Sequence, residues 1–164
     1  MNTSTPNNIN KDKAWRILDY EVQMFLGIGH LRSNLKIDGG HEAQLIRNAL
    51  VESSLLHIRI LIDIFLSRGK QYDDINLEQL GYDSKSIEPI FLEKINTLKR
   101  VYGEPSDKTS NCWTINKRLA HPTTHRTEGY DYSNLFKSLD KPLKEIIHYF
   151  YENQARPLPF PLKL

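Results

Sequence analysis

The chain contains a single cysteine, Cys112, among its 164 residues. One cysteine cannot form a disulfide within the chain, and scarce cysteine is typical of proteins from reducing compartments. A lone cysteine beside a tryptophan is expected to be a small packed residue, and a catalytic thiol is the alternative. The N-terminus also lacks a basic segment followed by an apolar one, so a cytoplasmic protein is expected.

Long hydrophobic runs are missing as well. The longest apolar stretch, about residues 55 to 66, is interrupted by His57, Arg59 and Asp63, whereas a membrane span needs about 20 mostly apolar residues. Charged residues make up 26% of the chain and hydrophobic residues 39%, a balance that is typical of soluble globular proteins. The net charge of +2 is too small to demonstrate nucleic-acid binding and does not exclude it.

Motifs for common cofactors are absent from the sequence. It contains no glycine-rich phosphate loop, no cysteine cluster and no His-Glu-x-x-His pattern, so neither a nucleotide loop nor a zinc site is predicted. His121 and His125 are four residues apart, but Pro122 disfavours one continuous helix through both of them. No metal and no cofactor are therefore expected.

Sustained strand-like alternation is not found, whereas helical spacing of apolar residues recurs along the chain. Helices are predicted over about residues 12–35, 41–67, 88–102, 107–121 and 133–153. Ser106 or Asp107 is expected to cap the fourth helix, and Pro142 should kink or split the fifth. The pattern predicts an all-α protein, a four- to five-helix up-down bundle with long central helices.

One domain is predicted, spanning residues 11–153. Residues 1–10 are polar and are expected to form a disordered tail. Residues 154–164 include the run Arg156-Pro-Leu-Pro-Phe-Pro and are predicted to be an extended, proline-rich tail. This tail is a candidate for docking into a partner subunit.

The densest group of polar side chains follows Trp113. Groups able to bind a phosphate or to move a proton near neutral pH are Asn116, Lys117, Arg118, His121, His125 and Arg126. Helical spacing up to His121 would let Arg118 and His121 reach one small anion. Such a set suits RNA cleavage without a metal, in which a histidine moves the proton and an arginine stabilises the phosphate. In the structural alternative, His121 interacts with the helix dipole or holds the following loop.

The central predicted helix carries a stripe of charge. Glu52, Arg59 and Asp63 stand at i, i+7 and i+11, which keeps them on one helix face. Arg59 and Asp63 form a predicted i, i+4 pair. The stripe either orients helix packing through ion pairs or lines a cleft opposite the polar group after Trp113. His57 is offset from the stripe and is expected to be a packed or a surface residue.

Two stretches of the sequence together resemble a known family. The first is Asn48-Ala-Leu-Val-Glu-Ser-Ser-Leu-Leu-His-Ile-Arg-Ile-Leu-Ile-Asp-Ile-Phe65, and the second is Ile115-Asn-Lys-Arg-Leu-Ala-His121, with Arg126 following. They resemble stretches of small bacterial proteins that are similar to the HEPN superfamily. The members of this superfamily are helical domains associated with nucleotide or RNA chemistry. The resemblance covers about residues 12 to 152. It implies a four- or five-helix bundle, often a homodimer, whose later helix carries a motif of an arginine, four to six intervening residues and a histidine, often with Asn, Asp or His directly after the arginine.

The motif aligns with this chain in two ways. With His121 as the motif histidine, the arginine position is occupied by Ile115, and Asn116 matches the polar position after it. With Arg118 as the motif arginine, His125 has the motif spacing, and Pro122 interrupts the expected helix. The motif is therefore degenerate in both alignments.

The resemblance implies a metal-independent RNA endonuclease of the toxin or phage-defence type. The catalytic residues it implies are His121, Arg118, Arg59 and Glu52. The implied RNA-binding residues are Asn116, Lys117, His125 and Arg126. The alternative is a non-catalytic helical module that binds a nucleotide, RNA or a partner protein.

Overall fold

The computed structural model describes residues 10–36, 38–69, 74–83, 87–120 and 130–160. All regular secondary structure in these residues is helical, which confirms the predicted all-α class. The α-helices are α1 (Lys11–Asn34), α2 (His41–Phe65), α3 (Pro89–Tyr102), α4 (Asn111–Ile115) and α5 (Ser133–Asn153). A π-helical segment, Asn116–Ala120, continues α4. None of the helices within this described part has the length and apolar character needed to cross a bilayer.

The expected cap of the fourth helix, Ser106 or Asp107, is wrong. The fourth helix is capped by Ser110, whose hydroxyl accepts a hydrogen bond from the Trp113 N–H at 3.0 Å. Asp107 instead holds a turn before the helix, because its carboxylate accepts hydrogen bonds from the backbone N–H and the hydroxyl of Thr109. α5 continues through Pro142 as one helix, so of the two outcomes expected for this proline the split does not occur.

The helices pack as two pairs. α1 packs mainly against α2, and α3 mainly against α5. Both pairs are antiparallel, because Glu21 in the first half of α1 meets His57 late in α2, and Phe91 early in α3 stacks on Tyr149 late in α5. This arrangement follows the predicted up-down order of the long helices.

The core joins the two pairs through a group of aromatic rings around Phe150 of α5. The Phe150 ring lies 5.5 Å from that of Trp15, 5.6 Å from Phe65 and 5.8 Å from Phe91, so all the long helices contribute to it. All four side chains are buried. Truncating one such ring to alanine typically costs about 3–5 kcal/mol of stability, so this group is expected to dominate the packing.

The described part of the C-terminal tail lies on the bundle. Its residues from Arg156 to Phe160 have no helix or strand. The Arg156 guanidinium lies 4.2 Å from the centre of the Trp15 ring and 3.5 Å from an Asp19 carboxylate oxygen. Leu158 and Phe160 are half-buried against the core. Residues 161–164, and residues 1–9 of the expected N-terminal tail, lie outside the described residues.

Candidate functional site

The first half of the predicted phosphate-binding group lies on the π-helical segment. The backbone leaves the α-helical form after Ile115, so Asn116, Lys117 and Arg118 all have π-helical geometry. In a π-helix each N–H bonds to the carbonyl five residues earlier, and such segments occur frequently at functional sites. The α-helical spacing predicted for residues 107–121 is therefore wrong at the residues that matter most for the proposed chemistry.

The Arg118 side chain, on the π-helical segment, packs against two tyrosines. Its guanidinium carbon is 4.2 Å from the centre of the Tyr130 ring and 6.0 Å from that of Tyr132. The two rings meet edge to face at 4.8 Å. Tyr130 is 42% exposed, so the cation and one aromatic ring are presented together at the surface. A cation at such a distance over an exposed ring gains about 0.5–1 kcal/mol.

Asn116 points in another direction, towards Cys112. Its side-chain amide donates a hydrogen bond to the Cys112 Sγ at 3.6 Å, and Arg68 donates to the same sulfur at 3.6 Å. Cys112 is 3% exposed, which confirms the expectation of a packed residue. The sulfur therefore connects the π-helical segment to the chain that follows α2.

Arg68 holds the ends of α2, α3 and α4 together. Besides Cys112, its guanidinium donates to the Gly103 carbonyl at 3.3 Å and lies 3.5 Å from a Glu104 carboxylate oxygen. It also lies 5.1 Å from the centre of the Tyr102 ring. Burial, and then the neighbouring Cys112, raise the pKa of the Tyr102 hydroxyl.

Arg59 and Asp63 form the predicted i, i+4 pair. The Arg59 Nε lies 3.7 Å from the Asp63 carboxylate, and both side chains are about one third exposed. Burial raises the pKa of Asp63, while Arg59 and then Arg68 oppose that rise. Asp63 thus stands between two arginines at the end of α2. The predicted Arg59–Asp63 pair is therefore confirmed, while the role of the stripe in helix packing or in a cleft wall stays a prediction.

These contacts form a continuous group, which we call the Arg68 cluster: Arg59, Asp63, Arg68, Tyr102, Cys112 and Asn116. The cluster brings together two of the predicted site residues, Arg59 and Asn116, although their side chains do not bond directly. The link depends on Arg68 and Tyr102, which the sequence reasoning did not select.

The other predicted site residues have different surroundings. Glu52 is exposed on α2, two turns and roughly 10 Å along the axis before Arg59. Lys117 is half-buried on the π-helical segment. His121, His125 and Arg126 lie outside the described residues, so the second half of the predicted group stays a prediction.

The site offers cations, an amide and one exposed aromatic ring, that of Tyr130. Within the described ranges, no three histidine, cysteine, aspartate or glutamate side chains are grouped so that they could bind a metal ion. Comparisons with protein-family models, with curated proteins and with solved structures gave no match to this chain. The function must therefore be argued from the chemistry of the side chains.

Proposed function

We propose that the chain is a cytoplasmic RNA endonuclease of the HEPN type that needs no metal ion. The observation that carries the proposal is the Arg118 guanidinium held 4.2 Å over the exposed ring of Tyr130, three residues before His121 in the sequence. A cation for phosphate, a ring for a base and a histidine for proton transfer would then lie along one short stretch of chain.

The pairing of Arg118 with Tyr130 suits single-stranded RNA. Unpaired bases stack on aromatic side chains and on arginine planes, and this stacking tolerates different sequences. An arginine also presents several N–H donors to phosphate oxygens in a fixed geometry. Lys117, the next residue on the π-helical segment, adds positive charge on the same stretch.

The proposed reaction is attack of a ribose 2′-oxygen on the adjacent phosphorus. His121 takes the proton from the 2′-hydroxyl or gives one to the leaving 5′-oxygen, and Arg118 stabilises the negative charge that grows on the phosphate oxygens. His125 and Arg126 would supply a second proton carrier and a second cation. Asn116, Arg59 and Glu52 would orient these groups, with the Arg68 cluster anchoring Asn116 through Cys112.

The test is cleavage of a labelled single-stranded RNA by purified protein in EDTA. The expected result is cleavage that His121→Ala lowers by about 10²- to 10⁴-fold, the usual contribution of general acid–base catalysis. His41→Ala is the matched control, since His41 is an exposed histidine at the start of α2. Equal cleavage by wild type and His121→Ala would remove this assignment.

A second candidate is a non-catalytic module that binds RNA, a nucleotide or a partner protein. It is favoured by the ion pair between Arg59 and Asp63, because a paired Arg59 offers less positive charge to a transition state, and by the degenerate arginine–histidine motif. Under this proposal, RNA binds to the protein but is recovered intact after prolonged incubation with excess protein. His121→Ala would then change the melting temperature or the affinity, but no turnover would be lost.

We also propose that two copies of the chain associate as a homodimer through α2. Leu45 and Leu56 on α2 are 54% and 46% exposed, and their spacing of eleven residues places them on one face of the helix. Burying exposed leucines is a common driving force for association. Light scattering should therefore give twice the chain mass for the wild type, and the mass of one chain for Leu56→Glu. A wild-type protein with the mass of one chain would contradict the dimer without affecting the proposed RNA chemistry.

A further inference from the structure

A cleft of about 460 Å³ lies between the C-terminal half of α1 and α5, away from the Arg68 cluster. Its apolar lining comes from Phe25 and Leu26 of α1, Phe136 of α5 and Phe160 of the tail. Clefts that bind small organic ligands usually have volumes of about 300–1,000 Å³ and mostly apolar walls with a few polar groups. By size and lining, this cleft fits that description.

The charges that line the cleft are unbalanced. Its charged lining residues are Arg32, Lys137, Lys144 and Asp140, three cations and one carboxylate. The carboxylate is already paired, because Asp140 lies 2.8 Å from the Lys144 ammonium. A cleft with this excess of positive charge attracts anions.

Arg32 is the most unusual of these cations. Its guanidinium carbon lies 3.3 Å from the centre of the Phe136 ring, and its Nη1 is buried with no acceptor among the described residues. Burial lowers the pKa of Arg32, and the nearby Asp140 offsets only part of that effect. A desolvated guanidinium with incomplete compensation gains more from an added anion than an exposed one does.

Gly29 keeps the wall of the cleft open. It lies within α1, where glycine is the least favourable residue apart from proline, and it lines the cleft. A Cβ atom added at Gly29 would meet no atom within 4 Å, and the same is true of Gly27, which does not line the cleft. The structure therefore has room for a side chain at either position. A substitution at Gly29 would enter the cleft, and the same substitution at Gly27 would serve as its control.

We propose that this cleft binds a small organic carboxylate with a compact apolar body. The charged group lies by Arg32 and Lys137, and the apolar body lies on Phe25, Leu26 and Phe160. The site is separate from the proposed RNA chemistry, and neither proposal depends on the other. It assigns Arg32, Lys137 and the open wall of α1 a common role.

The first test uses a fluorescent probe, anilinonaphthalene sulfonate, and its uncharged analogue phenylnaphthylamine. Saturable binding of one sulfonate dye per chain is expected, with affinity at least about tenfold above that of the uncharged dye, since one charge-assisted hydrogen bond is worth about that factor. Equal affinity for both dyes would show that charge plays no part and would overturn the proposal.

The second test blocks the cleft without disturbing the fold. Gly29→Leu should raise the melting temperature, because leucine favours helix over glycine, and should abolish dye binding because its side chain fills the cleft. Gly27→Leu should raise the melting temperature similarly and leave dye binding intact. Dye binding that survives Gly29→Leu would place the dye elsewhere and would overturn the assignment.

The third test asks which ligand the cleft accepts. Naphthoate, a ring carboxylate, and octanoate, an acyl carboxylate, compete against the bound dye in the wild type and in Arg32→Met. Displacement by either one, weakened about tenfold in Arg32→Met, supports the site and identifies the apolar body. If neither carboxylate displaces the dye, the cleft binds the dye but not carboxylates, and the proposal is overturned.

Arg118→Ala separates this site from the proposed RNA site, because this variant should bind the dye as the wild type does.

Discussion

Glu21 of α1 and His57 of α2 form a buried pair, with the Glu21 Oε2 only 2.6 Å from the His57 Nδ1. The two side chains are 8% and 6% exposed, and the Tyr20 ring packs edge to face on His57. Burying polar groups is costly unless they are hydrogen-bonded to each other. The pair therefore fixes how the first two helices face one another.

Glu21→Ala should lower the free energy of unfolding by about 1–3 kcal/mol. The change leaves His57 buried without its partner, and an unsatisfied buried polar group costs about that much. Urea denaturation followed by circular dichroism measures the loss. Gln23→Ala is the control, because Gln23 is exposed on the same helix and such changes usually stay within about 0.5 kcal/mol. An equal loss in both variants would contradict a specific role for the pair.

The Glu21–His57 pair also shows where sequence reasoning about the fold ends. Apolar spacing predicts α1, α2, α3 and α5 well, because each has an apolar face that is buried over much of its length, although in α2 that face is buried mainly from Ser54 onward. The same spacing places His57 off the charged stripe and leaves open whether it is packed or exposed. Its partner stands 36 residues away, so only the packing of two helices brings the two side chains together.

The site was harder to predict than the fold for the same physical reason. A pair within one helix, such as Arg59 with Asp63, follows from i, i+4 spacing. The contacts of Arg68 with Cys112 and of Arg118 with Tyr130 join separate elements, and the π-helical segment departs from regular spacing altogether. The Arg118 contact could have been suggested by one feature of the sequence, the basic pair Lys117-Arg118 about twelve residues before Tyr130-Asp131-Tyr132.

Asp63 should make stability depend on pH in a defined direction. Its pKa in the folded protein is raised above the ordinary value of 3.8, so the folded state holds the proton more tightly than the unfolded state. The resulting stabilisation is full below pH 3.8 and is lost as the pH rises through the raised pKa. The free energy of unfolding of wild type minus that of Asp63→Asn should therefore fall across this window.

Asp107→Asn should change stability with pH in the opposite direction to Asp63→Asn, because the pKa of Asp107 is lowered and that of Asp63 is raised. Hydrogen bonds from Thr109 lower the pKa of Asp107 below 3.8, so its stabilisation is present above that pH and is lost as the pH falls through the lowered pKa. Urea denaturation at intervals from about pH 3 to pH 7 measures both differences. Two curves of the same slope would contradict the opposite environments of these carboxylates.

Arg156 should hold the described tail on α1. Arg156→Ala removes the contact with Trp15 and the ion pair with Asp19, and the expected loss is about 0.5–1 kcal/mol because the guanidinium is partly exposed and screened. Thermal unfolding measures it. Arg156→Lys keeps the charge but loses the planar group that stacks on the ring, so its loss should be smaller. A melting temperature unchanged in Arg156→Ala would mean that the contacts of Arg156 with Trp15 and Asp19 add nothing to stability.

Tyr130 should separate stacking from charge in RNA binding. Tyr130→Ala is expected to weaken binding of single-stranded RNA by about 1–3 kcal/mol, the usual contribution of one stacked base, whereas Tyr130→Phe keeps the ring and the affinity. Arg118→Ala should weaken RNA binding and also reduce the slope of the logarithm of affinity against the logarithm of salt concentration by about one, because one phosphate contact is lost.

The control variant is Tyr20→Ala, since Tyr20 is 53% exposed on α1. Fluorescence anisotropy over a range of salt concentrations distinguishes these effects. If Tyr130→Ala and Tyr20→Ala bind RNA as the wild type does, the pairing of Arg118 with Tyr130 is structural, and the RNA site must be sought elsewhere.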